Sequence, residues 1–132
     1  NLMPYLLGVV NKVYPFLQVF GSDYETIDGT PVRDYIHIMD LIDAHYQALQ
    51  ENKHGIEIYN VGRGEGYSVL QIIKAFEQVN EIKIPYKNMP RREGDVETCF
   101  ADNKKIHKRL NWKSTRDIYQ ICYDAFKFSQ KN

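Results

Sequence analysis

The sequence predicts a mixed α/β fold built from helices and short strands. Apolar residues recur at helical spacing in several segments, and short apolar runs bounded by turn residues lie between them. Ser68 followed by Gln71 is the pattern of a capping box, which marks the start of a helix. Too few strands alternate regularly with helices to form a complete doubly wound sheet.

The first part of the chain is predicted to contain a helix, two strands and a second helix. Pro4 suits the first turn of a helix. The apolar residues that follow it at helical spacing are Leu6, Leu7, Val10, Val13 and Tyr14. A short strand is expected at Leu17–Phe20, and turn residues separate it from a second strand at 34–38. Asp40 is then expected to be the N-cap of a helix with an apolar stripe at Leu41, Ala44, Ala48 and Leu49.

The second part of the chain is predicted to alternate between strands and helices. Residues 56–61 form the strongest strand pattern, and the helix that starts at the capping box follows them. Its apolar face comprises Val69, Ile72, Ile73, Phe76 and Val79. Residues 82–86 are expected to form an edge strand, because Pro85 cannot donate to a ladder. Two further helices are predicted at 102–110 and 115–129.

Composition limits the classes of function. A chain of 132 residues with 43% hydrophobic residues can form one compact domain, residues 1–132. Seventeen basic residues balance seventeen acidic ones, so no overall field draws in nucleic acid or an anionic membrane surface. No apolar run approaches the roughly 20 residues of a membrane span, and no basic region precedes the first apolar stretch as in a signal peptide. We therefore expect a cytoplasmic protein that binds neither nucleic acid nor membrane.

Several local patterns have both a chemical and a structural interpretation. The glycines at 62, 64 and 66 resemble a dinucleotide fingerprint, but Tyr67 stands where the third glycine is needed, and an ordinary tight turn is favoured. Tyr123 and Lys127 have the spacing of a catalytic Tyr-x-x-x-Lys pair, although a contact on the helix surface is the favoured interpretation. The acidic residues and histidines at 37, 40, 43 and 45 lack the spacing of a metal site, so no metal is expected. Cys99 and Cys122 form no CxxC pair and are expected to be free thiols.

Two loops carry arginines that suit an anionic ligand. Arg33 is the only cation between Lys12 and Lys53, and it follows a loop rich in glycine, aspartate and threonine. Arg91 and Arg92 precede Gly94 and Asp95 in a second loop. Guanidinium groups can hold a diphosphate in a charge-assisted fork, while a carboxylate accepts hydrogen bonds from a ribose. In a chain without net charge, two such loops favour an anionic ligand held between them.

Six motifs in order resemble one family over nearly the whole chain. They are NLMPY at the start, the turn Val19-Phe20-Gly21, DGTPVRDYIHIMDL, IYNVGRGEGYSVL, PRREGD, and LNW at 110–112. Together they resemble the C-terminal part of the UDP-glucose 4-epimerases, which are extended short-chain dehydrogenase/reductases. The resemblance implies the UDP-sugar-binding portion of an extended Rossmann-type epimerase, with the NAD-binding half absent. Because residue 1 is Asn, we also expect the chain to be part of a larger protein.

The resemblance implies a role for each of ten residues in substrate binding. Asn1 and Leu2 would contact the phosphate and sugar side, and Gln18, Val19 and Phe20 would meet uracil, largely through backbone groups. Arg33 and Arg92 would clamp the pyrophosphate, Tyr35 would support Arg33, and Asp95 would take the uridine ribose. Cys99 would lie beside the sugar, where a small side chain leaves room for a 2-acetamido group.

The resemblance also implies what the parent enzyme does. It would interconvert UDP-glucose and UDP-galactose in galactose metabolism, and also the N-acetylhexosamine pair, by hydride transfer to NAD through a 4-keto intermediate. The absent Rossmann half would bind NAD and supply the catalytic Tyr-x-x-x-Lys, so this chain alone is expected to be inactive and to have no catalytic residue. The full enzyme would be a homodimer. The alternatives are a free-standing UDP-sugar-binding module and an inactive remnant without a ligand.

Overall fold

A computed structural model of the chain describes residues 1–51 and 55–131. Within these residues, helices and short strands alternate in an α/β arrangement, which confirms the predicted fold class. The helices are α1 (Leu2–Val10), α2 (Ile38–Gln50), α3 (Val69–Asn80), α4 (Lys104–Leu110) and α5 (Ile118–Ser129). The strands are β1 (Leu17–Phe20), β2 (Val32–Arg33), β3 (Tyr67–Ser68), β4 (Tyr86–Met89) and β5 (Thr98–Cys99).

The strands form two small sheets. In the first, β1 and β4 are parallel, and their register places Leu17 opposite Tyr86 and Phe20 opposite Met89. In the second, β2 lies between β3 and β5, antiparallel to β3 and parallel to β5. Arg33 at the end of β2 has Cys99 as its partner in β5. The two sheets bring the loops after β1, β2 and β4 towards each other.

The main hydrophobic core lies between the helices α1, α3 and α5 and the first sheet. Its most buried members include Leu6, Leu17, Ile72, Phe76 and Cys122. The rings of Phe76 and Phe126 meet edge to face, with centroids 6.0 Å apart. A second, smaller cluster surrounds the buried Trp112 beside α2 and α4. These contacts fix the helices on which the cavity described below is built.

The capping box is present as predicted. The Ser68 hydroxyl accepts from the backbone N–H of Gln71 at 3.1 Å, and the Gln71 side chain accepts from the Ser68 N–H at 2.8 Å. The four-residue strand Leu17–Phe20 is also confirmed. Both predictions relied on local patterns that span four consecutive residues.

The second predicted strand and the predicted N-cap were wrong. The strand is β2 at Val32–Arg33 and not 34–38, and α2 begins at Ile38 with His37 as its N-cap. Asp40 lies inside the first turn, where its carboxylate accepts hydrogen bonds from the backbone N–H groups of Thr115 and Arg116. Because these partners lie far along the chain, Asp40 is used to join two segments and not to cap a helix. The apolar stripe is also only partly buried, since Ala44 is buried but Leu49 is 79% exposed.

The strongest strand prediction, at 56–61, was wrong as well. These residues are not assigned to a strand and form no ladder with any strand in the described part of the chain. Ile56 and Ile58 are 93% and 75% exposed, whereas Tyr59 and Val61 pack against the Trp112 cluster. Burial therefore alternates only over residues 58–61, and no strand among the described residues pairs with them.

The remaining boundaries differ by a few residues for identifiable reasons. The predicted strand 82–86 is β4 at Tyr86–Met89, because Pro85 precedes the ladder and gives its carbonyl to the N–H of Leu17. The last helix begins at Ile118, with Asp117 as its N-cap, since residues 115 and 116 are held by Asp40. α1 ends at Val10, before the predicted positions 13 and 14. Among the described helices, none has the length and apolar character that crossing a membrane requires.

Candidate functional site

A cavity of about 660 Å³ lies between α1, β1, β2 and the loop that precedes β5. This volume is within the range of small-molecule sites. Its wall contains nine of the ten residues that the sequence predicted for substrate binding. They are Asn1, Leu2, Gln18, Val19, Phe20, Arg33, Tyr35, Arg92 and Asp95. The structure thus brings together residues from four separate segments of the chain.

Arg33 reaches the cavity from the end of β2. Its Nη1 donates to the carbonyl of Val32 at 2.8 Å, and its Nη2 pairs with Oδ1 of Asp95 at 3.2 Å. The two side chains are 28% and 33% exposed, so water still screens this ion pair. A ligand that enters the cavity can therefore compete for both groups.

Arg92 and Asp95 stand at the two ends of one tight turn. The backbone N–H of Asp95 donates to the carbonyl of Arg92 at 3.2 Å, and Gly94 has a φ of 77°. A glycine suits this position, because other residues adopt such an angle at a cost. The turn thus presents one cationic and one anionic side chain to the same cavity.

The two adjacent arginines have different surroundings. The Arg92 guanidinium stacks on the ring of Phe20, with its central carbon 3.7 Å from the centroid. Arg91 stacks on Tyr24 at 4.0 Å, and its Nε also donates to Oδ1 of Asp23 at 2.7 Å. Only Arg92 belongs to the cavity wall. The sequence alone gave no physical reason why Arg92 and not Arg91 should line the cavity.

Tyr35 supports the base of the cavity. Burial raises the pKa of its phenol to about 12, and the charge of Arg33 opposes this shift. The phenol is neutral at physiological pH, as in an ordinary tyrosine, and can act as a hydrogen-bond donor. The ring also packs against the main core. Tyr35 therefore connects the arginine site to the helices.

Cys99 lies outside the cavity wall. It is exposed in β5, next to Arg33 in the sheet register. Cys122 is buried, and burial raises the pKa of its thiol to about 12. Both cysteines are free thiols, as predicted.

The wall also contains apolar residues that the sequence did not single out. These are Tyr5, Tyr14, Pro15, Phe16, Leu17, Pro31 and Val69. Alternation was a signal for only one of them, since Phe16 precedes β1 and shares the parity of Gln18 and Phe20, whereas Leu17 and Val19 of the other parity also line the wall. The rings of Tyr5 and Tyr14 lie 5.6 Å apart at the same wall.

The glycine-rich loop serves an internal carboxylate. The backbone N–H groups of Arg63 and Gly64 donate to Asp34 at 3.0 and 3.1 Å, and the N–H of Ala101 donates to the same carboxylate at 3.2 Å. A side chain on Gly62 would collide with Asp34 and with Ala101. The loop is therefore a tight turn around Asp34, and these residues do not fit a dinucleotide.

The other candidate constellations have structural partners. Lys127 Nζ lies 5.2 Å from the ring centroid of Tyr123 on the surface of α5, as the favoured interpretation expected. His37 accepts from the N–H of Met39 through Nδ1, and its Nε2 lies 3.0 Å from Asp124. Asp43 accepts from the side chain of Gln47. Within the described residues, no group of three or more His, Cys, Asp or Glu is placed to hold a metal.

Comparison with known proteins shows the family of this chain. The family model described as GDP-mannose 4,6 dehydratase matches residues 11–125, so the chain belongs to this family. More particularly, the chain is 51% identical to UDP-glucose 4-epimerase of Pasteurella multocida over 134 residues. That match covers all of this chain and 40% of the relative.

Solved structures give the same result. UDP-glucose 4-epimerase from Stenotrophomonas maltophila, with bound NAD and formylated UDP-arabinopyranose, is 42% identical and superposes with a TM-score of 0.95. The enzyme from Bifidobacterium longum, in complex with NAD⁺ and UDP, is 43% identical with a TM-score of 0.94. These matches cover 99% and 100% of this chain and 40% of each solved chain. The chain thus spans about two fifths of the length of its relatives and resembles a part of the epimerase fold.

Proposed function

We propose that this chain is the UDP-sugar-binding part of a UDP-glucose 4-epimerase. The observation that carries the proposal is the joint presence of Arg33, Arg92 and Asp95 in the wall of one cavity. The Bifidobacterium longum enzyme, a structural neighbour over the whole chain, was solved in complex with UDP and supports the same ligand class.

The two arginines would hold the diphosphate. Guanidinium groups match the spacing of phosphate oxygens, and Arg33 and Arg92 approach the cavity from different strand ends. Asp95 would accept a hydrogen bond from the ribose, and the backbone of Gln18, Val19 and Phe20 would meet uracil. Such a site fixes the end of the ligand that substrate and product share, and it leaves the hexose free to present either face.

The longer protein would catalyse epimerisation at C4 of UDP-glucose and UDP-galactose. NAD supplies hydride acceptance and return in such a reaction. The described residues do not fit NAD at the glycine-rich loop, so we assign NAD and the catalytic groups to sequence outside this chain. We expect the isolated chain to bind UDP without catalysing the reaction. A free-standing UDP-binding module is the alternative, and activity of the longer protein distinguishes the two.

One exposed apolar surface of the chain is suited to pack against the rest of a longer protein. Four apolar side chains along α2 are between 51% and 79% exposed, at positions that form one stripe. They are Ile38, Ile42, Tyr46 and Leu49. Residues 56–61, which join no ladder among the described residues, continue this surface, because the hydroxyl of Tyr59 donates to Glu51 at the end of α2. We propose that a Rossmann half covers the stripe and pairs with the segment.

A binding experiment tests the proposed function. Titration calorimetry of the chain with UDP should show binding, and Arg92→Ala should weaken it by roughly ten- to hundredfold through loss of a charged hydrogen bond. The matched control is Arg91→Ala, which removes the adjacent guanidinium that points at Asp23 instead. No binding by the wild-type chain, or equal effects of the two substitutions, would contradict the proposal.

The docking surface has its own experiment. The part of the Pasteurella multocida relative that this chain does not cover is co-expressed with the chain, and the two are purified together. Replacing Ile42 and Leu49 by Glu should abolish co-purification. Ile27→Glu is the control, since Ile27 is 80% exposed on a different loop. Co-purification that survives the double substitution would show that another surface is used.

A further inference from the structure

The stacking of Arg92 on Phe20 suggests a role for the Phe20 ring that is separate from any backbone contact to a base. β1 and β4 are parallel with Phe20 opposite Met89, and the N–H of Gly21 donates to the Met89 carbonyl at 2.9 Å. Arg92 follows Met89 by three residues, so this register delivers its guanidinium to the ring. Both residues lie in the cavity wall.

The guanidinium of Arg92 is held by its face alone. Within the described part of the chain, its side chain takes part in the stacking contact and in no hydrogen bond or ion pair that would occupy its N–H groups. Arg91 differs, because Nε and Nη2 both donate to Asp23, at 2.7 and 2.5 Å. A stacked guanidinium keeps its donors in the plane of the group, where they can meet two oxygens at once.

We infer that the Phe20 ring is a positioning platform that fixes the Arg92 guanidinium for a diphosphate, so that Phe20 sets phosphate affinity by acting through Arg92. This inference rests on the proposed function, since it takes the diphosphate of UDP as the ligand. An exposed arginine on a mobile side chain loses rotamer freedom when it binds an anion. Stacking on Phe20 removes part of that freedom before the ligand arrives, which strengthens binding.

The test compares substitutions at position 20 by UDP calorimetry. Phe20→Leu keeps an apolar side chain but removes the ring, and it should weaken UDP binding about three- to tenfold. Phe20→Tyr keeps the ring and should weaken UDP binding less than Phe20→Leu does. In an Arg92→Ala background, Phe20→Leu should change UDP affinity less than twofold, because the platform then has nothing to position. A merely structural role for the ring would weaken binding equally in both backgrounds.

Two further measurements keep the outcome interpretable. Binding of uridine, followed by NMR titration, should be weakened less by Phe20→Leu than the binding of UDP is, since uridine has no phosphate for Arg92 to hold. Tyr24→Leu is the matched control, because it removes the ring beneath Arg91, which lies outside the cavity wall. Circular dichroism melts identify any variant that does not fold, and Phe20→Met then replaces Phe20→Leu.

The possible failures are distinguishable. If the wild-type chain does not bind UDP, the proposed function fails. If the chain binds UDP, but Phe20→Leu has no effect or is additive with Arg92→Ala, the positioning inference alone is overturned.

Discussion

Neutralising Asp95 should change the affinities for two ligands in opposite directions. In the ligand-free chain Asp95 pairs with Arg33 at 3.2 Å, and both side chains are about one third exposed. An ion pair with this exposure contributes about 0.2 to 1 kcal/mol. A diphosphate that binds Arg33 has to compete with this pair, so the pair lowers the affinity for any ligand that does not use Asp95.

The magnitude for each ligand follows from these contacts. Inorganic pyrophosphate has no ribose, so Asp95→Asn should release Arg33 and strengthen pyrophosphate binding by about 1.4- to fivefold, which corresponds to 0.2 to 1 kcal/mol. UDP would instead lose a hydrogen bond to a charged acceptor, worth about 1.5 kcal/mol at such exposure. After subtraction of the released pair, UDP should bind about two- to tenfold more weakly.

Calorimetry at 0.15 M salt measures both affinities under conditions that screen distant charges. Asp23→Asn is the matched control, because it neutralises the carboxylate paired with the neighbouring Arg91, outside the cavity wall. It should leave both affinities unchanged. Pyrophosphate binding that weakens in Asp95→Asn, or UDP binding that strengthens, would refute the assignment of Asp95 to the ribose and Arg33 to the diphosphate.

Three other predictions concern the frame of the site and its selectivity. Gly62→Ala should destabilise the chain by about 1 to 3 kcal/mol in urea unfolding, because its new methyl group would collide with Asp34; an unchanged midpoint would contradict the tight approach. Burial raises the pKa of Asp40, but hydrogen bonds from Arg116 and Thr115 lower it more, so the folded pKa lies below its ordinary value of 3.8. The stability that this shift contributes is present above pH 3.8 and is lost as the pH falls through the folded pKa. Asp40→Asn should therefore lower the free energy of unfolding by about 1.5 to 3 kcal/mol at pH 7, and in acid-unfolding curves it should flatten the decline of stability below about pH 4. An unaltered slope of that decline would count against this role of Asp40. In the longer enzyme, Cys99→Tyr should remove activity on the N-acetylhexosamine pair and keep activity on UDP-glucose and UDP-galactose; absence of the N-acetylated activity in the wild type, or no effect of the substitution, would exclude this role.

Local patterns predicted the parts of the fold that depend on neighbours in sequence. The capping box at Ser68 defines its helix through two reciprocal hydrogen bonds across three residues. Residues 56–61 show the opposite case, because their alternation is that of a strand but a ladder needs a partner from elsewhere. The predicted N-cap of α2 was wrong for a similar reason. Asp40 has a side chain that suits a cap, but His37 occupies that position, because Asp40 contacts a residue 75 positions away.

The candidate site was predicted mainly through the resemblance to a family. Spacing and composition indicated an anion between two arginine loops, but they could not say which neighbours share a wall. The structure places nine of the ten residues there and leaves Cys99 outside. Cys99 was assigned to the site from its position in the family pattern. In the structure it lies in the two-residue strand β5, where it pairs with Arg33 of the neighbouring strand β2. In so short a strand, the pairing within the sheet sets the direction of the Cys99 side chain, and the neighbouring sequence does not.

The pair Arg91 and Arg92 shows how long-range contacts give different roles to identical neighbours. The loop that carries them starts where β4 ends, so successive residues point in different directions from the same origin. One guanidinium meets Tyr24 and Asp23, and the carboxylate and backbone carbonyl of Asp23 accept hydrogen bonds from two of its nitrogens. The other meets Phe20, a ring without any acceptor oxygen, and its donors stay available. For these two neighbours, the difference comes from Asp23, which ties Arg91 to a loop and leaves Arg92 to offer its charge to a ligand, and Asp23 lies more than sixty positions away in the sequence.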